Sequence, residues 1–226
     1  MTSRGLYDTV VTIGFENDDA TTFTVHRGLI CHHSSFFRTA LQGRFSEGQE
    51  KKVTLPAEEK EPFRVFMGWM YRMQLFDADV RFSLADYKTT SCAIEAYVFA
   101  IKRGIPCLKN AIVDLFVTTQ IKERILPISV FQRLWSATPT DDGLRKLTVD
   151  WCVFFSLKDT VFDGESCSRW PKELLFKVLS RVILPAKRPE FRSSDDWTRL
   201  KCDYHDHADI CKEVKEENNV VEAKSE

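Results

Sequence analysis

Two short stretches hold the side chains best suited to metal or nucleophilic chemistry. Residues 23–37, FTVHRGLICHHSSFF, carry His26, Cys31, His32 and His33. Residues 202–211, CDYHDHADIC, carry Cys202, His205, His207 and Cys211 in a C-x2-H-x-H-x3-C spacing. Thiolate cysteine and neutral histidine are zinc ligands, and a structural zinc needs four of them in a tetrahedron. The first stretch is poorly spaced for that. His32 and His33 are neighbours, which on a helix point about 100° apart. Cys31 sits beside Leu29 and Ile30, where cysteine behaves as a small hydrophobe. His26 ends an alternating run on its polar face. A Cys–His nucleophile would also need an orienting third group and an oxyanion hole, and the sequence identifies neither. The second stretch is the better candidate, because metal binding can supply the folding free energy of a short segment. Its spacing matches no common zinc finger, and it lies in an acidic tail. The expectation is therefore no cofactor and no resident metal, with Cys202, His205, His207 and Cys211 as the candidate ligand set.

Other catalytic signatures are absent. There is no G-x-x-x-x-G-K-[ST] phosphate loop and no G-x-S-x-G elbow. The nine glycines do not cluster. The chain reads as a non-enzyme. Lys plus Arg is 32 and Asp plus Glu is 33, so there is no basic footprint for direct nucleic-acid contact. No run approaches the ~20 apolar residues of a membrane span, and the first residues have no secretory apolar core. The seven cysteines are expected as free thiols in a reducing compartment, cytoplasmic or nuclear.

The elements around these residues follow from periodicity. Val10–Ile13 and Thr22–His26 read as two strands joined by the polar turn ENDDA. The period then changes. Leu29 and Ile30 mark a short helix, and Ser34 and Ser35 are N-cap types for the next, with Phe36, Phe37, Ala40 and Leu41 on its stripe and Gly43 at its end. KKVTLP is a third strand. EEKEPFRVFMGWMYRM is a helix opened by Pro62, with Phe63, Phe66, Met67, Met70 and Tyr71 on its stripe and Gly68 and Trp69 off it. Residues 77–91 read as a loop. A helix follows from Ala93 to a stop at Gly104-Ile105-Pro106, and another holds Leu108, Ile112, Leu115 and Phe116. Beyond Ile125 the pattern is helical only: ISVFQRLW, then Leu144 to Phe155, then WPKELLFKVLSRVI with Leu174, Leu175, Val178, Leu179, Val182 and Ile183 on one side. After Pro189 the apolar period collapses. Residues 201–226 hold four Lys against three Asp and five Glu, a net of minus four, and are expected to be disordered.

The first ~105 residues resemble a BTB/POZ domain. Asp8 precedes Thr9-Val10-Val11. Phe23-Thr24-Val25-His26-Arg27 matches the family's F-x-V-H-K/R. Ser34-Ser35-Phe36-Phe37 matches S-x-F-F, and Phe63, Phe66, Trp69 and Tyr71 match F-x-x-F-x-x-W-x-Y. The helices after 125 and the ending CDYHDHADIC resemble larger BTB proteins abundant in filamentous fungi. The resemblance implies an α+β (α/β class) fold, a three-stranded sheet with a flanking helical cluster, over residues 5–119. A helical C-terminal extension over 125–189 and an acidic disordered tail over 190–226 follow.

The resemblance also implies a protein–protein interaction function. BTB domains commonly dimerise. Many are substrate adaptors that bind the N-terminal helices of a cullin in a ubiquitin ligase, others are transcriptional or chromatin regulators that recruit partners, and others tetramerise channels. Asp8 and Arg27 match a charged pair near the family's dimer groove, and His26 matches a histidine that helps hold strand to helix. Phe45-Ser46-Glu47 matches a hydrophobic-x-Glu motif of cullin-binding members. Only seven residues precede Asp8, where many dimeric members carry an exchanged extension, so strong self-association is not expected. The expected partners are proteins, a cullin or a second copy among them, with no nucleic acid and no membrane. Asp8, Arg27, Phe45 and Glu47 are the candidate partner-binding residues.

Overall fold

The computed structural model describes residues 6–7, 9–42, 46–156, 170–183 and 201–207. The chain divides into two compact units, one of residues 1–78, 99–109 and 206–226, the other of 79–98 and 110–205.

The first unit is built on strands β1 (Val10–Phe15), β2 (Asp18–His26) and β3 (Lys52–Leu55) in the order β2-β1-β3. The hairpin expected from the alternating pattern is present and tighter than the sequence suggests. Phe15 pairs with Asp18, so the turn is Glu16-Asn17 alone, with Asn17 at φ 58°, a left-handed conformation asparagine tolerates. Strand β3 runs parallel to β1, with Ile13 opposite Val53 and Phe15 opposite Leu55. A parallel return needs a crossover. Helices α1 (Arg27–His33), α2 (Ser35–Gln42) and α3 (Ser46–Glu50) occupy the intervening chain.

Helix α4 (Lys60–Arg72) carries the ring that ties these layers together. Phe63 lies within 5.5–6.3 Å, centroid to centroid, of Phe15, Phe23, Phe37, Phe66 and Phe99. Such edge-on ring pairs add to the burial of apolar area. The buried stripe is Pro62, Phe63, Phe66, Trp69 and Met70. It differs from the sequence reading at Trp69, which packs 5.1 Å from the His33 ring, and at Tyr71, which is 43% exposed.

Helix α5 (Tyr87–Lys102) starts inside the stretch read as a loop. The missed signal is Asp86. Its carboxylate accepts from the N–H groups of Lys88 and Thr89 at 3.1 and 3.2 Å, an N-cap that needs no apolar residue to announce it. The Thr89 side chain first, and then these two N–H groups, hold the Asp86 carboxyl below the usual carboxylate range. The other end of α5 stops as the sequence predicts. Gly104 has φ 59°, and a Cβ built there would lie 2.0 Å from Ser35 Oγ.

That stop also starts α2. The Ser35 and Phe36 N–H groups donate to the Gly104 and Arg103 carbonyls at 3.1 and 3.4 Å. Ser34 Oγ accepts from the Phe37 N–H at 3.2 Å and donates to the Arg103 carbonyl at 2.6 Å. The first N–H groups of a helix have no partner within it. Here one cap residue and the end of another helix supply them. Glu59, 4% exposed, fixes Arg103 from behind at 2.7 Å.

The second unit takes the first twelve residues of α5 and most of α6 (Pro106–Glu123), then α7 (Ile128–Ala137), α8 (Gly143–Ser156) and α9 (Lys172–Ile183). Leu144, Leu147 and Trp151 are buried as their spacing predicts, and Trp151 stacks on Phe116 at 6.3 Å. Asp142 caps α8 through the Leu144 N–H at 3.0 Å and accepts from the Tyr97 hydroxyl at 2.9 Å. Helix α9 departs from the sequence reading. Leu174 and Val178 are buried, but Leu179 and Ile183 face outward with Phe176.

Gly104→Ala should lower stability by about 1–2 kcal/mol through the left-handed backbone alone, with a further loss from the contact with Ser35 Oγ. Denaturant unfolding of Gly104→Ala beside the Ser35→Ala/Gly104→Ala double variant checks this. The double variant should recover the contact part and retain the backbone part.

Candidate partner-binding surface

The histidine-rich stretch resolves into three different environments. His26, the last residue of β2, meets α4. Its backbone N–H donates to the Tyr71 hydroxyl at 3.1 Å, and that hydroxyl lies 2.8 Å from His26 Nδ1. The Tyr7 ring also meets the His26 ring edge-on, 5.1 Å centroid to centroid. His32 is half-buried and in edge contact with His33 at 4.9 Å. His33 is buried between His32 and Trp69. Burial, with a smaller contribution from the nearby His32 charge, pushes its pKa down to about 4. Cys31 is buried, with its thiol facing the Phe37 carbonyl at 3.6 Å, and burial raises its pKa despite Arg27 and Arg38 nearby. Among the described residues, no group of three or more His, Cys, Asp or Glu is disposed to hold a metal ion.

Arg27 opens α1 and reaches across to the end of α2, donating from Nη2 to the Leu41 carbonyl at 2.6 Å. It therefore closes one end of α2 while the α5 stop closes the other. Asp8, its expected charge partner, lies outside the described residues.

Between these closures a shallow groove of about 620 Å³ runs along α2. Ser35, Phe36, Thr39 and Ala40 form one wall, Val53 and Thr54 of β3 with Glu47 of α3 another, and Ile101, Lys102 and Gly104 the end. The lining is mainly apolar, with Glu47 and Lys102 of opposite charge. The Arg103 guanidinium lies 4.2 Å over the Phe36 ring, so the aromatic wall is held by a cation–π contact. A groove with an apolar floor and a polar rim has the general makeup of a protein-docking surface.

Residues 4–91 match the family model for the BTB/POZ domain. The chain carries a BTB/POZ domain. BTB/POZ is a protein-interaction domain, so the groove belongs to a protein-binding module. No curated protein matches the chain. The family match ends at residue 91, whereas the compact unit that holds the groove also draws on residues 99–109. Phe99, Ile105 and the Gly104 turn are part of how this BTB/POZ unit is closed. Among the described residues no helix is long and apolar enough to cross a membrane.

Of the four expected partner-binding residues, the structure places Glu47 in the groove and Arg27 at the α2 terminus. Asp8 and Phe45 lie outside the described residues. Sequence reasoning missed Phe36, Thr39, Ala40, Ile101 and Lys102 as a surface. They come from separate stretches, and only the α2–α5 junction brings them together.

The C-terminal Cys/His stretch belongs to the second unit through residue 205. Lys201–Tyr204 form a single 3-10 turn. The buried Tyr204 hydroxyl donates to Asp150 at 3.0 Å, and Arg181 pairs with the same carboxylate at 2.9 Å. Burial first, then the Asp150 charge, drives the Tyr204 pKa upward. The Tyr204 carbonyl also sits where a Gly143 side chain would be, 2.0 Å from a Cβ built there. His205 Nε2 lies 3.1 Å from Asp114, and Cys202 is exposed. Cys211 lies outside the described residues, as does most of the acidic tail.

His33 should make stability depend on pH. Its folded pKa of about 4 lies below the ordinary value near 6.5. The unfolded chain therefore binds the proton first. The contribution is complete above about pH 6.5 and is lost as pH falls toward 4, by at most ~1.4 kcal/mol per unit. Urea unfolding of wild type and His33→Phe across this range should show the stability difference change in that direction. Parallel pH profiles would show that His33 does not titrate this way.

Proposed function

We propose that the protein is an adaptor that docks the N-terminal helices of a cullin in the α2 groove and links a bound protein to a ubiquitin ligase. The observation that carries this reading is Glu47 on the groove wall beside Val53 and Thr54, facing a lining that includes Phe36 and Ala40. The hydrophobic-x-Glu resemblance of Phe45-Ser46-Glu47 points to the same surface. A cullin helix would lay apolar side chains along Thr39, Ala40 and Phe36. A basic or amide group on it would meet Glu47, and an acidic one Lys102. Binding of this kind is equilibrium recognition with no bond made or broken, and an adaptor acting this way works in the cytoplasm or nucleus. The second unit would be free to hold the protein to be modified.

Titration of the full chain with a purified cullin N-terminal fragment tests the proposal. Ala40→Glu and Glu47→Lys alter groove positions that are not fully buried, so the fold should persist, as circular dichroism would check. Each substitution should weaken binding about ten-fold or more, corresponding to ~1.4 kcal/mol or more. Unchanged affinity in both, or no binding by the wild type, would refute the proposal.

A further inference from the structure

Residues 201–205 lie on the second unit as a strap fastened to two of its helices. Two adjacent side chains turn inward. Tyr204 is buried and the His205 side chain is 1% exposed, while Cys202 and Asp203 on the same turn face outward. The Tyr204 hydroxyl donates to Asp150 Oδ2 at 3.0 Å. Its carbonyl occupies the space that a side chain at Gly143 would fill. Gly143 and Asp150 are seven residues apart on α8, about 10 Å along the axis at 1.5 Å per residue. One tyrosine bridges that span, fitted at its backbone by the absent side chain and at its tip by the carboxylate. A phenylalanine would fit the length and leave Asp150 Oδ2 without this donor. Beside it, His205 Nε2 lies 3.1 Å from Asp114 of α6.

The slot is aimed by groups outside the strap. Arg181 of α9 pairs with Asp150 Oδ1 at 2.9 Å, the oxygen that Tyr204 does not use. The strap, in contrast, is held lightly around its two inward side chains. Lys201 lies 3.4 Å from Asp114, and Asp206 pairs with Lys109 at 3.3 Å within the first unit. Lys201, Asp114 and Asp206 are each more than a third exposed, and ion pairs of that kind add little. Asp203 brings a second negative charge toward Asp150, which opposes seating. A segment with so few buried apolar contacts opens locally, without unfolding the helices beneath it.

We infer that the α6–α8 slot is a binding site for a peptide segment of a partner protein that presents a tyrosine followed by a hydrogen-bond donor, and that residues 201–205 are a detachable strap filling the site in cis. The partner's tyrosine takes the place of Tyr204 between Gly143 and Asp150, and the donor after it meets Asp114. The strap competes with every incoming segment and keeps weak ligands out. The site is separate from the α2 groove and does not rest on cullin binding.

NMR titration of the isotope-labelled full chain with a peptide of residues 201–207, carrying Cys202→Ser to prevent disulfide formation, tests this directly. A strap seated about nine-tenths of the time from a millimolar effective concentration implies a Kd of about 0.1 mM or tighter. The Tyr204→Ala chain, its slot vacated, should take up the peptide at that affinity, and wild type about ten-fold more weakly. Tyr204→Phe in the peptide should weaken binding about ten-fold, because a hydrogen bond to a charged group is lost. Gly143→Ala/Tyr204→Ala should not bind, since the added Cβ fills the place of the peptide carbonyl, while alanine suits the helix. The inference is overturned if the Tyr204→Ala chain fails to fold by circular dichroism, which would make Tyr204 part of the core. It is equally overturned if the folded variant takes up no peptide, or if wild type or the double variant binds as well as Tyr204→Ala.

Discussion

The first turn of α2 is completed by the last turn of α5, and the BTB/POZ unit is organised around that meeting. Ser34, Ser35 and Phe36 are hydrogen-bonded to Arg103 and Gly104 across nearly seventy positions of sequence. A buried N–H or C=O left without a partner costs about 1–3 kcal/mol. Each of the two helix termini supplies partners that the other lacks. The turn must be left-handed to aim both carbonyls at α2, which is why glycine stands at 104. It must also be held in place, which Glu59 does through Arg103. With α2 fixed, Phe37 is delivered to the Phe63 cluster and Phe36 to the outer surface under the Arg103 guanidinium. The core and the groove are opposite faces of one short helix.

The two units bury polar groups by similar means. In the second unit Arg145 is buried and donates to Thr138 Oγ1 at 2.7 Å, to the Trp135 and Thr138 carbonyls, and to Glu173. A buried guanidinium is tolerated when its donors are occupied and a carboxylate is near. Asp150 is more exacting. Burial raises its pKa, although Arg181 and the Tyr204 hydroxyl favour the charged form. Tyr204 brings a segment remote in sequence onto α8, and Gly143 makes room for its backbone. Polar contacts, not an apolar stripe, position that segment.

This distinction explains how much the sequence disclosed. The hairpin, the third strand and the buried face of α8 were legible because period and burial coincide there, whereas in α2 only Phe37 and Leu41 of the expected stripe are buried and Phe36 and Ala40 line the groove. Ser34 and Gly104 were legible as local punctuation, cap and stop, but nothing in either stretch says that they punctuate the same junction. His26 and Tyr71 each belong to a family motif, and only the structure reveals that the two side chains meet. Asp86 was overlooked because a cap acts through its carboxylate, whereas the loop was assigned from missing hydrophobes. The opposite error occurred in α9, where Leu179 and Ile183 were read on the same buried side as Leu174 and Val178 but are exposed. A stripe read from sequence records which residues avoid water, not how many partners share them. The α2 groove was the least legible feature. Glu47 came from a family motif, and the remaining walls come from segments that converge only in three dimensions.

Amide hydrogen exchange of the full chain, followed residue by residue by NMR, tests the organising junction most directly. First-turn amides of an ordinary exposed helix exchange freely because they have no internal partner. If the α5 stop caps α2, the Ser35, Phe36 and Phe37 amides will be protected to the same degree as those in the later turn of α2. Exchange of these three at the rate of an open chain, with the later turn still protected, would contradict the account.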